Sequence, residues 1–196
     1  MATDLDSLPD TFTTKWARES GVHPRDLYRW RDEGDILELS RGIYRKADAP
    51  EATFPDLLAV ARRATRAIVC CVTAATVHGL TDDREPTVQI AMSDAHNLAR
   101  IAYPPTTVLR FADRTFEVGL SSIDAAPGEP VRIYDPARTV VDLIRLRGRF
   151  GESAAYLALN RYFASTGARP ALLLEYATAL DVLRPVLSAV DVASAR

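Results

Sequence analysis

Residues 13–31, TTKWARESGVHPRDLYRWR, decide the fold of the N-terminal part of the chain. Either of the two threonines at the start is a suitable N-cap for a short helix. In this helix Trp16 and Ala17 are expected to face inward. Gly21 ends that helix, and Pro24 begins a second one at its first position. A helix, a tight turn that contains glycine and a second helix together predict a helix-turn-helix.

A hairpin with a basic tip is predicted directly after the second helix. Residues 34–45, GDILELSRGIYR, contain two short β-prone runs on either side of Ser40-Arg41-Gly42. A hairpin that follows a recognition helix is a wing, and an arginine at its tip can reach phosphate or the minor groove. We therefore expect residues 1–49 to form a winged helix-turn-helix that binds DNA.

The charge of the chain is nearly balanced as a whole but is uneven along its length. The 24 Lys and Arg residues against 26 Asp and Glu residues give a net charge of −2, which excludes a uniformly basic DNA-coating protein. By segment, residues 1–10 carry −3, residues 11–46 carry +2 and the remainder carries −1. If the positive segment neutralises three to five phosphates, the salt dependence has a slope of about −3 to −4.5. One such module binds weakly, which predicts pairing of two copies on repeated half-sites.

The expected DNA contacts lie on the second helix and the wing. Arg25 and Arg29 share a helix face with Tyr28 between them, and arginine bound to guanine is the commonest specific base contact. The full expected set is Lys15, Arg25, Tyr28, Arg29, Arg31, Ser40, Arg41 and Arg45. A protein-docking module is the alternative, since units of this type also dock proteins. The acids that favour this alternative are Asp26, Asp32 and Glu33.

The remaining chain, residues 50–196, is predicted to form one mixed domain. The expected strands are 68–72, 88–91, 107–111, 116–120 and 131–134, and the expected helices are 54–66, 73–80, 136–146, 151–163, 170–180 and 184–190. Strands in one block and helices in another indicate an α+β fold with a C-terminal helical block. On the outer face of the first of these helices, Arg62, Arg63 and Arg66 could form a second basic strip.

Few residues in this domain suggest chemistry. The chain has no glycine-rich phosphate loop, HExxH or GxSxG motif, and the adjacent Cys70 and Cys71 lack the spacing of metal ligands. We therefore expect neither an enzyme nor a bound metal or cofactor. The alternative is an enzyme that modifies a protein or a nucleotide, built on the polar cluster of Asp135, Arg138 and Asp142. The simpler interpretation is a helix cap at Asp135 and an Arg138–Asp142 ion pair at four-residue spacing.

Arginines at the end of the same predicted helix are candidate partner contacts. Favourable interaction with the helix C-terminus explains part of their number, and contact with an acidic partner or a nucleic acid is the alternative. The candidates are Arg138, Arg145, Arg147 and Arg149.

The sequence gives no indication of a membrane span or an export signal. The longest apolar run, residues 67–72, is far shorter than the roughly 20 residues of a spanning helix. The first ten residues carry three aspartates where a secretory signal would carry bases. We therefore expect a cytoplasmic protein without a membrane partner.

An ordered set of segments resembles the AbiEi antitoxins of type IV toxin–antitoxin systems. The segments are TTKWARESGVHPRDLYRW (13–30), LSRGIYR (39–45), VTAATVHGL (72–80), YPPTTVLRF (103–111), FEVGL (116–120), VRIYDPARTVVDLIRLRGRFG (131–151) and ALNRYF (158–163). The resemblance covers residues 12–187, and RGIYR followed by YDPARTVVDL is its strongest part. His23-Pro24 departs from the family, in which a Ser or Thr cap with a polar successor is typical.

The resemblance implies a promoter-binding antitoxin. The N-terminal winged helix would bind inverted repeats in the promoter of its own operon and repress it, with Pro24–Arg31 as the recognition helix and Ser40–Gly42 as the wing tip. The C-terminal domain would neutralise a nucleotidyltransferase-like toxin, with or without direct contact, in a phage-defence system. The protein would be a monomer in solution or a homodimer on DNA. A ligand-sensing winged-helix regulator is a further alternative.

Overall fold

The computed structural model describes residues 4–95 and 101–194, which form two compact units. Unit 1 comprises the described parts of Met1–Thr65, Ala99–Pro105 and Asp124–Val131. Unit 2 comprises the described parts of Arg66–Leu98, Thr106–Ile123 and Arg132–Arg196. The domain boundary expected between residues 49 and 50 therefore lies inside unit 1, which also draws on two later segments of the chain.

Unit 1 is built around the predicted helix-turn-helix and hairpin. Its elements are β1 (Thr11–Thr13), α1 (Thr14–Glu19), α2 (Pro24–Glu33), β2 (Ile36–Ser40), β3 (Ile43–Lys46) and α3 (Pro55–Arg63). β3 is the central strand of an antiparallel sheet, between β1 and β2. Both predicted helices and the wing are present, whereas β1, a three-residue strand without an alternating pattern, was not expected.

The core of unit 1 explains why these elements pack together. It contains Leu8, Phe12, Ala17, Val22, Leu27, Trp30, Ile36 and Tyr44. Ala17 faces inward as expected, but the expectation for its neighbour Trp16 was wrong, since 54% of Trp16 is exposed. Helix α1 has only six residues, and Ala17 is the one among them that is buried in the core.

Unit 2 contains a mixed sheet and a helical block. Its elements are β4 (Ile68–Val69), α4 (Cys71–Val77), β5 (Val88–Ser93), β6 (Thr106–Phe111), the first part of β7 (Leu120–Ala126), the last part of β8 (Glu129–Tyr134), α5 (Pro136–Arg145), α6 (Arg147–Phe150), α7 (Glu152–Ala164), α8 (Pro170–Ala179) and α9 (Leu183–Ser194). The rest of β7 and β8, within Asp124–Val131, belongs to unit 1. The strand order is β6-β5-β4-β8-β7, with β5–β6 and β4–β8 parallel and β4–β5 antiparallel. The α+β prediction is confirmed.

Local departures from the predicted elements have physical causes. The strand expected over 116–120 is wrong: a 3₁₀ turn at Asp113–Thr115 precedes it, and β7 begins only at Leu120. The strand expected over 68–72 ends at Val69, because Cys71 already begins α4. The first error arises because residues 116–120 alternate as a strand does, although Gly119 has a φ of +73° and the segment before β7 is a turn. The second arises from a short apolar run, in which strand and helix cannot be distinguished by periodicity.

Helix α5 is central to the core of unit 2. Its residues 137–144 are all buried, and it packs against α4, α7, α8 and α9. No helix within the described residues is long and apolar enough to cross a membrane.

Candidate nucleic-acid interface

The wing tip is fixed against the start of α1. In the antiparallel β1–β3 pair, Thr13 lies opposite Ile43, so α1 begins beside the tip residue Gly42. The backbone N–H of Thr14 donates to the Gly42 carbonyl at 2.9 Å, and the Thr14 hydroxyl donates to the same oxygen at 3.3 Å. The Gly42 N–H in turn donates to Glu38 Oε1 at 3.0 Å. The tip is therefore held in one position relative to the first helix.

Helix α2 presents its predicted contact residues to solvent. Leu27 and Trp30 are buried beneath it, which turns the opposite face outward. The outward side chains are those of Arg25, Tyr28, Arg29 and Arg31. The departure at His23 has a structural role, since His23 Nδ1 accepts a hydrogen bond from the backbone N–H of Arg25 at 3.1 Å and caps the helix.

The arginines on α2 are matched by acids on the same helix. Arg29 lies 3.4 Å from Asp26 and 3.8 Å from Glu33, and Arg31 lies 2.9 Å from Asp32. The hydrogen bond and charge of Asp32 raise the pKa of Arg31 above its ordinary value. Exposed pairs of this kind contribute about 0–1 kcal/mol, so that a DNA base or phosphate can replace the acid at little cost.

Two of the expected contacts have other partners in unit 1. The Ser40 hydroxyl is buried and donates to the Tyr103 carbonyl at 2.6 Å. Arg45 is also buried; its guanidinium donates to Glu129, to the Thr11 hydroxyl and to a backbone carbonyl. The expectations that Ser40 and Arg45 contact DNA are therefore corrected, because a buried hydroxyl bonded to a carbonyl and a buried guanidinium with three partners cannot reach a phosphate.

Glu129 is the acid that holds Arg45 in place. Its carboxylate also accepts hydrogen bonds from Arg62 at 2.8 Å and from Thr11 at 3.2 Å. Burial alone would raise the pKa of Glu129, but the hydrogen bonds from Arg45, Thr11 and Arg62 outweigh it, and the pKa lies below its ordinary value. The carboxylate is thus charged at neutral pH and joins β1, β3 and α3.

The expected contacts Lys15 and Arg41 are exposed. Two bases outside the expected set, Arg18 and Arg63, are also exposed. Arg18 on α1 and Arg63 at the end of α3 line the same cavity of unit 1 as Lys15 and Arg41. The sequence indicated Arg63 only as part of the possible second basic strip on the outer face of its helix. That strip is divided in the structure, since Arg62 bonds to Glu129 and Arg66 belongs to unit 2.

The polar cluster of unit 2 is structural. Arg138 and Asp142 are both completely buried and lie 3.0 Å apart, and Asp135 caps α5 by accepting from the Arg138 backbone N–H at 2.8 Å. The Arg138 guanidinium also donates to the carbonyls of Thr115 and Val118 at 3.0 and 2.5 Å. The expectation that Arg138 contacts a toxin or nucleic acid is corrected, because no part of the side chain is exposed.

The other arginines at this helix end differ in exposure. Arg145 donates to Asp142 at 2.8 Å and lies over the Phe111 ring, and Arg147 donates to the Ile144 carbonyl at 2.9 Å. The bond from Arg147 is the expected interaction with a helix C-terminus. Of the four candidate partner contacts, Arg138 is buried, Arg145 and Arg147 are half-buried, and Arg149 is exposed.

No group of three or more His, Cys, Asp or Glu residues within the described chain could hold a metal ion. Unit 2 does contain a cavity of about 660 Å³, lined by residues of both charges that include Arg114, Arg132, Asp113 and Glu117.

Comparison with solved structures shows a similar fold. The crystal structure of the RV2827C protein from Mycobacterium tuberculosis has a TM-score of 0.57 and 16% sequence identity to this chain. The match covers 97% of this chain and 78% of that chain. No curated protein sequence matches the chain.

Comparison with family models gives a match for the N-terminal segment. Residues 3–45 match a family described as transcriptional regulator, AbiEi antitoxin. The matched residues include α1, α2, β2 and the wing tip, and the match supports a role as an antitoxin and transcriptional regulator. Over residues 3–45, therefore, this chain matches the AbiEi antitoxin family of transcriptional regulators.

Proposed function

We propose that the protein is a DNA-binding antitoxin that represses its own operon by binding inverted repeats in the promoter. One observation carries the proposal: the segment that matches the regulator family has the exposed face of α2 beside a wing tip fixed to α1. Helix α2 reads bases in the major groove, chiefly through Arg25 and Arg29, and the wing contacts the backbone. Two copies bind together, one on each half-site, because one module offers few phosphate contacts.

The toxin in this proposal is a nucleotidyltransferase-like protein of a type IV system. Unit 2 supplies the neutralising activity, and the exposed Arg149 is its remaining arginine candidate for partner contact. The neutralisation includes no covalent step by this chain. The absence of such a step is consistent with the burial of Arg138 and Asp142, the residues on which an enzymatic alternative depended.

A DNA-binding titration tests the regulatory part of the proposal. The probes are a duplex from upstream of the operon and a scrambled duplex of equal length. Each good bidentate base contact contributes about 1–3 kcal/mol of discrimination, so Arg25→Ala combined with Arg29→Ala is expected to remove most of the preference for the upstream duplex. Arg169→Ala combined with Arg184→Ala, at two exposed arginines of unit 2, is the matched control and is expected to bind as the wild type does.

The regulatory proposal is wrong if the Arg25→Ala, Arg29→Ala variant keeps the wild-type preference, or if the wild type has none. The neutralisation proposal is tested by incubating the protein with the purified toxin and a labelled nucleotide. Mass spectrometry is expected to find both proteins unchanged. A covalent modification of the toxin that depends on this chain would contradict the proposal.

A further inference from the structure

A cationic groove lies on unit 1 away from the predicted base-reading arginines of α2. It has a volume of about 730 Å³ and is lined by the start of α1, the wing tip and the end of α3. Its charged residues are four bases and one acid, namely Lys15, Arg18, Arg41, Arg63 and Glu19. The formal charge of the lining is therefore +3.

The bases of this groove lack the acidic partners found on α2. Within the described residues no ion pair involves Arg18, Arg41 or Arg63, and Lys15 has only Glu19, at 3.8 Å. On α2, by contrast, three acids offset three arginines, and both Arg29 and Arg31 are ion-paired. Among the described residues, the groove thus has three bases without an acidic partner, whereas α2 has only Arg25 in that state.

The groove is also preorganised. Arg63 Nη2 donates to the Arg41 backbone carbonyl at 2.7 Å, which ties the end of α3 to the wing tip. Thr14 ties the same tip to α1 through the Gly42 carbonyl. The three elements that carry the bases are therefore connected, so the backbone needs little rearrangement when an anion binds.

We propose that this groove binds the phosphodiester backbone of duplex DNA, with Arg18, Arg41 and Arg63 as the principal contacts. Planar guanidinium groups match phosphate oxygens in bidentate geometry, and exposed unpaired bases suit a ligand whose charge repeats along its length. The proposal rests on the proposed DNA-binding function and extends its surface to α3, beyond the segment that matches the family. Phosphate contacts fix register without reading bases, so the groove supplies affinity and α2 supplies preference.

The test is the salt dependence of binding by the full-length Arg18→Ala, Arg63→Ala variant, measured by fluorescence anisotropy on the upstream and scrambled duplexes. Two lost phosphate contacts are expected to flatten the slope of log K against log salt by about 1.8, and to weaken binding roughly 10- to 100-fold at about 0.1 M salt. The loss is expected to be equal on the two duplexes. The matched control is Arg169→Ala with Arg184→Ala, which removes the same charge from exposed positions of unit 2.

Arg18→Ala alone keeps the test decisive if the double variant folds poorly. Its exposed side chain forms no ion pair within the described residues, so its removal is expected to leave the fold intact and to change the slope by about 0.9. Wild-type slopes for both variants would overturn the proposal. If the wild type binds both duplexes equally, the regulatory function fails while the groove is still tested on the scrambled duplex. If the wild type binds neither duplex, both proposals fail.

Discussion

Each unit contains one buried carboxylate between two arginines. In unit 1 Glu129 bonds to the buried Arg45 and to the half-buried Arg62. In unit 2 Asp142 bonds to the buried Arg138 and to the half-buried Arg145. Each site consists of one carboxylate and two arginines, but the separation in sequence between the carboxylate and the arginines differs. Asp142 is four residues from Arg138 on one helix, whereas Glu129 is 84 residues from Arg45 and 67 from Arg62.

This difference determines what each buried carboxylate stabilises. The triad of Asp142 lies within α5 and reaches the turn before β7 through two backbone carbonyls that Arg138 holds. The triad of Glu129 joins a late segment of the chain to β1, β3 and α3, the elements that support the wing. The first is a local arrangement in the core of unit 2, and the second is a long-range connection in unit 1.

The largest expected effect is at Asp142. Asp142→Ala removes the carboxylate that pairs with the fully buried Arg138 guanidinium, and breaking a buried pair from one side costs about 3–5 kcal/mol. Urea denaturation measures the free energy of unfolding. Arg138→Met combined with Asp142→Leu is expected to recover much of this loss, since no charge is then left unpaired. If Asp142→Ala unfolds at the wild-type urea concentration and toxin neutralisation is lost, the cluster is a functional site and the comparison fails.

A smaller and pH-dependent effect is expected at Glu129. Glu129→Gln replaces the acceptor of two guanidinium bonds with a neutral one, at a cost of about 1–3 kcal/mol at pH 7. The pKa of Glu129 is lowered in the folded protein, so its contribution is complete above the ordinary glutamate pKa of about 4.3. The contribution is lost as the pH falls through the lower folded value, because the unfolded chain then binds the proton more readily.

Unfolding measurements between pH 7 and pH 3 check this prediction. The difference between the wild type and Glu129→Gln is expected to shrink as the pH falls. Glu117→Gln is the matched control, because Glu117 pairs with Arg132 at 2.7 Å but is 71% exposed, and such pairs contribute about 0–1 kcal/mol. A difference that stays constant over the whole pH range would show that Glu129 does not stabilise unit 1 through its charge.

Sequence reasoning succeeded where the interactions are local. The cap at Asp135 and the Arg138–Asp142 pair follow from three- and four-residue spacings, and both are present. The helix-turn-helix and the wing likewise depend on neighbouring residues. Arg45 was assigned to DNA because it lies near the wing tip, and nothing within its own segment indicates an acid 84 residues away.

The groove could be predicted only in part, because it combines local and long-range interactions. Helical spacing placed Arg62 and Arg63 on the outer side of their helix, but it does not indicate what each faces. The structure gives Arg62 an acid and leaves Arg63 exposed beside Arg41. The sequence did not single out Arg18, because only the pairing of β1 with β3 brings its helix to the wing tip.

The smallest effect is expected at Gly42. Here the cost of the backbone conformation can be measured separately from the loss of the contact with α1. Gly42 has a φ of +73°, and an added Cβ would lie 3.0 Å from the Thr14 hydroxyl. Gly128 has the same φ of +73° but no atom within 4 Å of an added Cβ. Each substitution by alanine carries the cost of the left-handed conformation, about 1–2 kcal/mol, and only Gly42→Ala also disturbs the wing tip.

Gly42→Ala is therefore expected to be slightly less stable than Gly128→Ala in urea denaturation and to bind both DNA duplexes more weakly. The reason is geometric: moving the tip away from Thr14 also moves Arg41, whose carbonyl holds Arg63. Gly128→Ala is expected to retain wild-type affinity at temperatures where it is folded. Equal affinities for the two variants would mean that DNA binding does not require the wing tip to be fixed to α1, and the preorganised groove would lose its structural basis.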